Sequence, residues 1–575
     1  MAETALARPT APVPADGPRR SRRGSSALPW HVVRVVVTIA LLLVVALPVF
    51  WLVRQSLVDL AGRFTLDNYV EVFTNSTYLV PLLRSIGVAV CVSALCTVLG
   101  VSMAWLVARS DMRFRAALRY VVYLSFIVPS LLAGVAWVIL ASPNAGLLNQ
   151  LSDAAFGVRP LNVFTLPAMV VVMALALYPL NFIFVTNSLD AQGGDVDEAG
   201  AILGASPARR ALTISLPLVT PAILNAALLT FLQAVALYAV PALLAIPAGQ
   251  QVLTTQLFQL FGFPRRPELA AAYGVPLILL AALVLWGRRR IMGRRGYATI
   301  AGRGTRTNLV KLGAWRWPAT VYCWAVITVA VVLPGLTLAY ISVIPHWANG
   351  GFSFTLEHYA WVFDNAMTPV WNTIQFSAAS ATLCVVIGLA VAYLTVRRNT
   401  RFDRVLEWLT TTPIVLPGII IAVGIFAAYS RPPIVLYGSG VIVVVAFWGR
   451  FMPTALQNIQ PAIRSIHPDL ENAARSVGAG MLRTLSRITV PLSSGVLISA
   501  WIFSFVLATH EVSAAVLLVS VDTDVIATQV INLYEQARFE QISALGLVMV
   551  AITMIAVGVG TAFGGRRILN RGRDF

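Results

Sequence analysis

A short polar motif occurs twice in this sequence at a fixed spacing. The first copy runs from Glu198 to Gly204 and is followed by Pro217, and the second runs from Asn472 to Gly478 and is followed by Pro491. Both the two glycines and the two prolines lie 274 residues apart. Acidic residues at the start of a helix complement its dipole, and small residues let another surface approach the backbone. The motif therefore predicts a short helical segment that inserts into a groove on a partner protein.

The second copy departs from the first at its acidic position, where Asn472 replaces Glu198 and Glu471 lies one residue earlier. Pro217 is expected to open the next apolar span, where a missing N–H costs little. An ordinary connection between helices is the alternative interpretation of one copy alone, but two copies at one spacing favour a function. The candidate docking residues are Glu198, Ala199, Gly200, Gly204, Pro217, Glu471, Asn472, Ala473, Ala474, Gly478 and Pro491.

Ionisable and polar residues inside apolar segments form a second set of candidates, because such groups are costly in lipid. His510 and Glu511 are expected in the middle of a span, where they line or gate a pathway. The alternatives are a position at a helix end or a structural pairing with Arg450, which is itself expected near a span end, where it extends to the membrane surface. Each amide or phenol alone is equally compatible with an interhelical hydrogen bond. The candidate pathway residues are Asn181, Asn225, Gln233, Tyr238, Asn372, Gln375, His510 and Glu511.

Catalytic and metal-binding patterns are absent from the sequence. The four cysteines, Cys91, Cys96, Cys323 and Cys384, lie in apolar segments without metal-ligand spacing and are expected to be packing residues. The single lysine, Lys311, lacks the glycine run and the Ser/Thr of a phosphate-binding loop. We therefore expect no enzyme active site, no metal and no cofactor in this chain.

Composition places these motifs in a membrane protein. The 575 residues are 58% hydrophobic and 11% charged, with a mean hydropathy of +0.79, whereas soluble domains are about 25% charged. Apolar runs of about 20 residues, the length that crosses a bilayer, recur along the chain. The sequence therefore predicts an all-α polytopic fold with about 12 transmembrane helices. The predicted spans are 31–53, 81–108, 118–141, 164–186, 216–246, 268–286, 317–343, 370–396, 408–430, 438–457, 493–519 and 541–563.

The net charge of +18 comes from arginines that cluster in short gaps between the apolar runs. Such clustering is typical of cytoplasmic loops. A nucleic-acid surface would need a polar stripe interleaved with aromatic residues, and the sequence shows none. The bias predicts that both termini, the central linker and both motif copies face the cytoplasm, with lipid around the spans.

The duplication extends beyond the motif and divides the chain into two six-helix repeats. Cys96, Gly100 and Pro129 correspond to Cys384, Gly388 and Pro417 at a shift of 288, so about 14 extra residues are expected in the first half, near 142–163. Equivalent spans of the two halves cross the membrane in the same direction, which indicates a parallel repeat around a shared pathway. The predicted organisation is a disordered basic tail (1–30), a first repeat (31–286), a basic cytoplasmic linker (287–316), a second repeat (317–563) and a tail (564–575).

The repeated motif resembles the signature loop of the membrane subunits of bacterial ABC importers with the type I (MetI-like) fold. Two such units in one chain resemble the ferric-iron permease subfamily. The segment Leu237–Leu244 is similar to that subfamily's FGVPALLG, and His510–Leu518 is similar to ELPATLLL, with Ser513 in place of the proline. Val252–Gln256 and Val525–Gln529 match each other and a further strip of the subfamily. The resemblance covers nearly the whole chain after residue 30.

This resemblance implies the partners and the activity. In the family, the loop forms a coupling helix that docks on a separate ATP-binding subunit, so we expect two copies of that subunit to bind ATP and Mg²⁺ and a binding protein to deliver the solute at a bacterial inner membrane. Ferric iron is the expected solute, and a phosphonate, polyamine, thiamine or sulfur oxyanion stays open. An ion-coupled secondary transporter is less favoured, because Leu237 occupies the repeat position of Glu511.

Overall fold

The computed structural model describes residues 28–125, 128–191, 200, 202–292, 309–347 and 353–571. Helices form nearly all of the regular structure in these residues, together with two isolated β-bridges. The predicted all-α fold class is confirmed. The helices of the first half are α1 (Trp30–Ser56), α2 (Asp67–Thr74), α3 (Ser76–Arg109), α4 (Arg115–Ser125), α5 (Ser130–Ala141), α6 (Leu147–Phe156), α7 (Leu166–Ala191), α8 (Leu212–Ala236), α9 (Ala239–Leu244), α10 (Leu253–Gln259) and α11 (Pro267–Met292).

The second half repeats this order of helices. Its members are α12 (Gly313–Ile341), α13 (Glu357–Asn365), α14 (Met367–Arg397), α15 (Arg401–Ile414), α16 (Gly418–Tyr429), α17 (Gly440–Ser465), α18 (Pro468–Ser476), α19 (Met481–Thr509), α20 (Ile526–Glu535) and α21 (Phe539–Arg571). Helix α6 has no equivalent, and it occupies the loop where about 14 extra residues were expected. Helix α9 corresponds to a 3-10 turn, Ala515–Leu517, and the counterpart of α18 falls largely outside the described residues. The predicted position of the insertion is confirmed.

Ten described helices are long and apolar enough to cross a bilayer, or twelve if each of two bent pairs counts as one span. The bent pairs are α4 with α5, at 99°, and α15 with α16, at 114°, so a sharp bend interrupts each of the predicted spans 118–141 and 408–430. The predicted ends at 246 and 519 are wrong, because α8 and α19 stop at Ala236 and Thr509. A hydropathy profile reports only composition. It cannot detect a bend or a helix end where the residues on both sides stay apolar.

Four of the described spanning helices include or begin with one π-helical turn that ends two residues before a proline. At the start of α8 the turn is Ala211–Ser215, before Pro217, and in α19 it is Leu485–Thr489, before Pro491. Proline lacks the N–H for an ordinary helical bond and crowds the preceding turn, and a wider turn relieves both problems. The expectation that Pro217 opens its span is therefore wrong, since the helix begins before it.

The two halves interlock through their first spans. Helix α1 packs on α11 of its own half and on α16 of the other, while α12 packs on α21 and on α5. Tyr429 on α16 donates its hydroxyl to the Leu43 carbonyl at 2.6 Å, and Arg34 on α1 pairs with Asp403 on α15 at 2.7 Å. Each half is therefore held by a helix contributed by its partner half.

Cysteine packing follows the repeat, as the sequence suggested. Cys96 on α3 lies 3.4 Å from the Ala174 carbonyl, and its equivalent Cys384 on α14 lies 3.5 Å from the Trp448 carbonyl. All four cysteines are free, and three of them are buried. The predicted packing role is confirmed for the three buried cysteines, whereas Cys91 is exposed.

Helices continue across several of the predicted segment boundaries. Helix α11 extends to Met292 and α12 begins at Gly313, both inside the expected linker 287–316. Helix α21 continues to Arg571, through most of the expected tail 564–575. The first 27 residues and residues 293–308 lie outside the described residues.

Candidate functional site

The second copy of the motif forms α18, which is anchored through Glu471. This carboxylate, only 1% exposed, accepts hydrogen bonds from Tyr393 Oη at 3.0 Å, Arg397 Nε at 3.1 Å and Thr489 Oγ1 at 3.0 Å. Tyr393 and Arg397 lie at the end of α14, and Thr489 lies in the π turn of α19. These bonds tie α18 to two spanning helices.

The guanidinium of Arg397 extends this anchor to a third span. Its Nη2 donates to the carbonyl of Ile466, the residue that ends α17, at 2.9 Å. In the first half, the equivalent Arg109 is buried and donates Nη2 to the Leu189 carbonyl at 2.8 Å. The equivalent of Glu471 there is Asp197, which lies outside the described residues. The arginine at the end of the second span thus bonds near the end of the fourth in both halves.

The motif glycine has the same backbone conformation in both copies. Gly204 has φ +77° and Gly478 has φ +87°, a left-handed conformation that glycine adopts readily at helix ends. Matching hydrogen bonds close each end, from Ala205 N to Gly200 O and from Ala479 N to Ala474 O, both at 3.0 Å. A Cβ added at either glycine meets nothing within 4 Å. The glycine is therefore required by the backbone angle and not by a lack of space.

The outer surface of each motif copy presents an apolar side chain just before the glycine. Leu203 is 85% exposed and its equivalent Val477 is 84% exposed, while Asn472 and Ala473 are also exposed on α18. Large apolar side chains left uncovered in this way mark contact surfaces when they form a patch. The two copies thus expose apolar side chains at equivalent positions.

Gly200 faces back into the protein. A Cβ there comes within 2.8 Å of Ile214 Cδ1 and 3.3 Å of Arg210 Cδ, so its small size allows packing within the chain. This differs from the expectation that Gly200 leaves room for a partner. Glu198 and Ala199, the first two residues of that copy, lie outside the described residues.

A cavity of about 170 Å³ lies between the halves and is lined by equivalent residues from both. It includes Val128, Pro129 and Ser130 from the break between α4 and α5. Its charged side chains all come from the second half, since the first half contributes alanine or leucine at their positions. The residue pairs, each 274 apart, are Ala176 and Arg450, Leu177 and Phe451, Gln233 and Leu507, Ala236 and His510, Leu237 and Glu511, and Ala239 and Ser513.

An ion pair spans the second-half wall of this cavity. Arg450 Nε lies 3.4 Å from Glu511 Oε2, and Arg450 Nη1 donates to the Leu416 carbonyl at 2.6 Å. Arg450 lies near the middle of α17, so the expectation that it extends to the membrane surface is wrong. His510 and Glu511 follow the end of α19, so their expected position in mid-span is also wrong. The pairing with Arg450 that the sequence left open is present.

Gly418 at the start of α16 leaves room for this cluster. A Cβ at this position comes within 2.8 Å of Glu511 Oε1, 3.1 Å of Ser513 Cβ and 3.2 Å of Arg450 Nε. The equivalent first-half residue is Ser130, and the charged residues Arg450 and Glu511 have no charged counterpart there. Glycine therefore occurs on the side of the cavity that carries the ion pair.

We expect Gly418→Ala to displace the Arg450–Glu511 pair and to lower the free energy of unfolding by about 1–3 kcal/mol, as overpacking does. Thermal unfolding of the purified protein, followed by tryptophan fluorescence, measures this loss. Gly274→Ala is the matched control, because its added Cβ finds its nearest neighbour, on Ile420, at 3.5 Å. Equal unfolding temperatures for the two variants would contradict the crowding argument.

The other predicted pathway residues lie away from the cavity in this conformation. Asn181 is buried and donates to Thr230 Oγ1 at 2.8 Å, and Tyr238 packs its ring 5.4 Å from that of Phe258. Asn372 donates to the Asp522 and Asp524 carbonyls at 3.0 and 2.9 Å. Asn225 is buried and Gln375 is exposed, and neither contributes to the lining. Of the predicted pathway residues, the cavity brings together Gln233, His510 and Glu511.

Two hydroxyl groups that the sequence analysis missed position the segments next to this cavity. Ser85 Oγ on α3 accepts from Leu253 N at 2.7 Å, and Thr373 Oγ1 on α14 accepts from Ile526 N at 2.8 Å. These bonds hold the first turns of α10 and α20. Ser85 and Thr373 stand at the repeat shift of 288, so their equivalence was the available signal.

Comparison with known proteins places these features in a family. The family described as binding-protein-dependent transport system inner membrane component matches residues 96–295 and again 384–572. The ferric transport system permease protein FbpB of Actinobacillus pleuropneumoniae is 26% identical over 444 residues, which are 76% of this chain and 64% of the relative.

Other relatives match different shares of the chain. The Fe(3+)-transport system permease protein FbpB 2 of Haemophilus influenzae is 22% identical over 67% of this chain and 74% of its own length. The molybdenum transport system permease protein ModB of Mycobacterium tuberculosis is 28% identical over 41% of this chain and 88% of its own length. These relatives are transport permease proteins, and the match to two fused MetI-like units confirms the resemblance noted from the motif.

Proposed function

Since this chain belongs to the family of binding-protein-dependent transport system inner membrane components, we propose that it forms the pathway of an ATP-driven importer and couples it to a separate ATPase. The observation that carries this proposal is the anchored docking helix. The exposed Val477 directly follows α18, while the buried Glu471 of that helix is bonded to α14 and α19. A push on the outer face is therefore delivered to the spanning helices.

Each half supplies one such contact, so two ATP-binding subunits dock, one at Leu203 and one at Val477. ATP binding closes the two subunits together, the docking segments follow, and the two halves rock around the central cavity. In this arrangement the docking segments and both termini face the cytoplasm, in agreement with the arginine clusters. A binding protein delivers the solute to the opposite face.

Ferric iron is the solute that we propose, because two of the relatives carry ferric transport in their names. Another small solute handled by the same machinery is the alternative, since a third relative is named for molybdenum. Uptake of radioactive iron by cells that depend on this chain, with unlabelled competitors, separates these solutes. Iron uptake that survives deletion of the chain would exclude the first choice.

Docking is tested by placing a charge on the exposed apolar positions. Leu203→Asp and Val477→Asp should each weaken association with the ATPase about thirtyfold, because a carboxylate is desolvated at the contact. Affinity of the detergent-purified chain for the ATPase subunit measures this loss. Val521→Asp is the matched control, since Val521 is 92% exposed but lies between α19 and α20, in the loop expected on the opposite face.

The control variant and the double variant make this test decisive. The control should keep full affinity, and the double variant Leu203→Asp with Val477→Asp should lose ATP-driven uptake in proteoliposomes. Uptake without any ATPase subunit would instead indicate an ion-coupled transporter and would overturn the proposal.

A further inference from the structure

The central cavity carries charged side chains on one side only, and this asymmetry indicates what it recognises. Arg450, His510 and Glu511 line it in the second half, where the equivalent first-half residues are Ala176, Ala236 and Leu237. We propose that Arg450 is a recognition residue for an oxyanion group of the solute and that Glu511 occupies its place when the solute is absent. The inference rests on the proposed import function, which it extends to the chemistry of the solute in the pathway.

Among the polar groups that line the cavity, most can donate hydrogen bonds. The Arg450 side chain keeps 15% of its surface exposed while using Nε and Nη1 for the two contacts described. Hydroxyls of Ser130 and Ser513 and the Gln233 amide line the same space. A guanidinium binds the paired oxygens of an oxyanion through two parallel N–H groups. The donor set therefore fits a phosphate-like, sulfate-like or carboxylate group.

His510 contributes a second, independent observation. Its Nε2 is buried and has no hydrogen-bond partner among the residues that the structure describes, although His510 lines the cavity. Buried polar atoms are nearly always hydrogen-bonded. A ligand oxygen held by Arg450 supplies the partner that this nitrogen lacks.

The ion pair is built so that the solute can replace Glu511. At 3.4 Å, the Nε–Oε2 contact is longer than the usual 2.7–2.9 Å of such charged bonds. Each partner also has an anchor of its own, since Leu416 O accepts from Arg450 and Ala514 N donates to Glu511 Oε1 at 3.0 Å. Opening the pair therefore leaves neither charge without a hydrogen bond.

A bare metal cation fits this cavity less well. The described residues contain no group of three or more His, Cys, Asp or Glu side chains that could hold a metal ion. The single carboxylate, Glu511, is already engaged by Ala514 N, and a cation bound there would meet the nearby Arg450 guanidinium. Charge and ligand number both favour the oxyanion, so an iron solute would meet this cavity with an oxyanion bound to it and not as the bare cation.

Binding of simple salts to the purified full-length chain tests the site without any ATPase. The probes are sodium phosphate, sodium sulfate and sodium molybdate, compared with sodium chloride at equal ionic strength, and lanthanum chloride as a hard trivalent cation. Stabilisation against thermal unfolding gives an apparent Kd for each. We expect at least one oxyanion to stabilise the chain at concentrations where chloride and lanthanum do not.

Opposite responses of two variants identify the roles. Arg450→Gln should raise the apparent Kd about thirtyfold or more, because it removes the charged partner. Glu511→Gln should lower it about tenfold, since it removes the competing charge and keeps an oxygen for Ala514 N. Arg450→Lys, which keeps the charge and loses the paired geometry, should fall between the wild type and Arg450→Gln.

Arg84→Gln is the control, because Arg84 is also an arginine within a span that donates to a backbone carbonyl, that of Gln251, at 2.8 Å, but does not line the cavity. Its apparent Kd should match the wild type. No oxyanion effect, a Glu511→Gln variant that binds more weakly, or lanthanum binding lost in Glu511→Gln would each overturn the proposal. Because binding is measured on the chain alone, failure of ATPase docking would leave this test unaffected.

Discussion

Replacing Glu471 with alanine is expected to lower the free energy of unfolding by about 3–5 kcal/mol, the usual cost of leaving one charge of a buried pair without its partner. The variant keeps Arg397, whose side chain is only 11% exposed, and it removes the acceptor for Tyr393 and Thr489 as well. ATP-driven uptake should be lost, because α18 is then no longer tied to α14 and α19. Thermal unfolding by tryptophan fluorescence and uptake in proteoliposomes measure the two effects.

Asn472→Ala is the matched control for this prediction. Asn472 is the neighbouring residue and stands at the acidic position of the motif, but its side chain is exposed and, among the residues that the structure describes, accepts a hydrogen bond only from Arg475, at 2.8 Å. Its stability should change by no more than about 0.5 kcal/mol. If Asn472→Ala proved more damaging to folding than Glu471→Ala, the buried anchor would not be what holds the docking helix.

A double variant separates stability from coupling. Glu471→Leu combined with Arg397→Leu removes both charges, a change that is often neutral or stabilising for a buried pair. The free energy of unfolding should therefore recover while uptake stays impaired. The two leucines cannot form the hydrogen bonds that hold α18 to Ile466 and Thr489. Recovery of both properties would mean that packing alone transmits the movement.

The motif spacing predicted where the docking segments lie but not which acidic residue anchors them. Alignment of the copies sets Asn472 against Glu198, and nothing in one sequence indicates that Glu471 turns inward. That direction depends on Tyr393, Arg397 and Thr489, which lie as far as 78 residues away in the chain. Only the packed structure brings these partners together.

Hydropathy found the spanning segments but not their paths. The long straight helices α3, α7, α14 and α17 agree with their predicted spans to within several residues, because uniform apolar character and span length coincide there. Pro129 and Pro417 directly precede the helices that begin at Ser130 and Gly418, and both prolines adopt extended backbone angles. Apolar residues continue through both breaks, so the composition does not change where the chain turns.

The repeat carried more information about the pathway than did polar character alone. Asn181, Tyr238 and Asn372 were chosen because they are polar within apolar segments, and each forms a contact elsewhere. Comparing equivalent positions instead identifies Arg450 and Glu511, where one half is charged and the other is apolar. A functional difference between two copies of one fold appears where their chemistry diverges.

Gly478→Ala is expected to destabilise the end of the docking helix by about 1–2 kcal/mol, since a residue with a Cβ resists the left-handed conformation. The new methyl group meets nothing within 4 Å, so the whole effect comes from the backbone. Affinity for the ATPase subunit should fall about tenfold, because Val477 immediately precedes this residue. Binding of the purified chain to the ATPase measures the change.

Two substitutions in the same loop make the backbone argument testable. Gly480→Ala adds a methyl group that also meets nothing, but at an ordinary φ of −70°, and should be neutral. Gly478→Asn should recover part of the affinity, because asparagine tolerates the left-handed region. If Gly480→Ala weakened binding as much as Gly478→Ala, then contact with the partner, and not the angle, would explain the motif glycine. Gly204 has the same geometry in a distant part of the chain, so losses in the double variant should multiply.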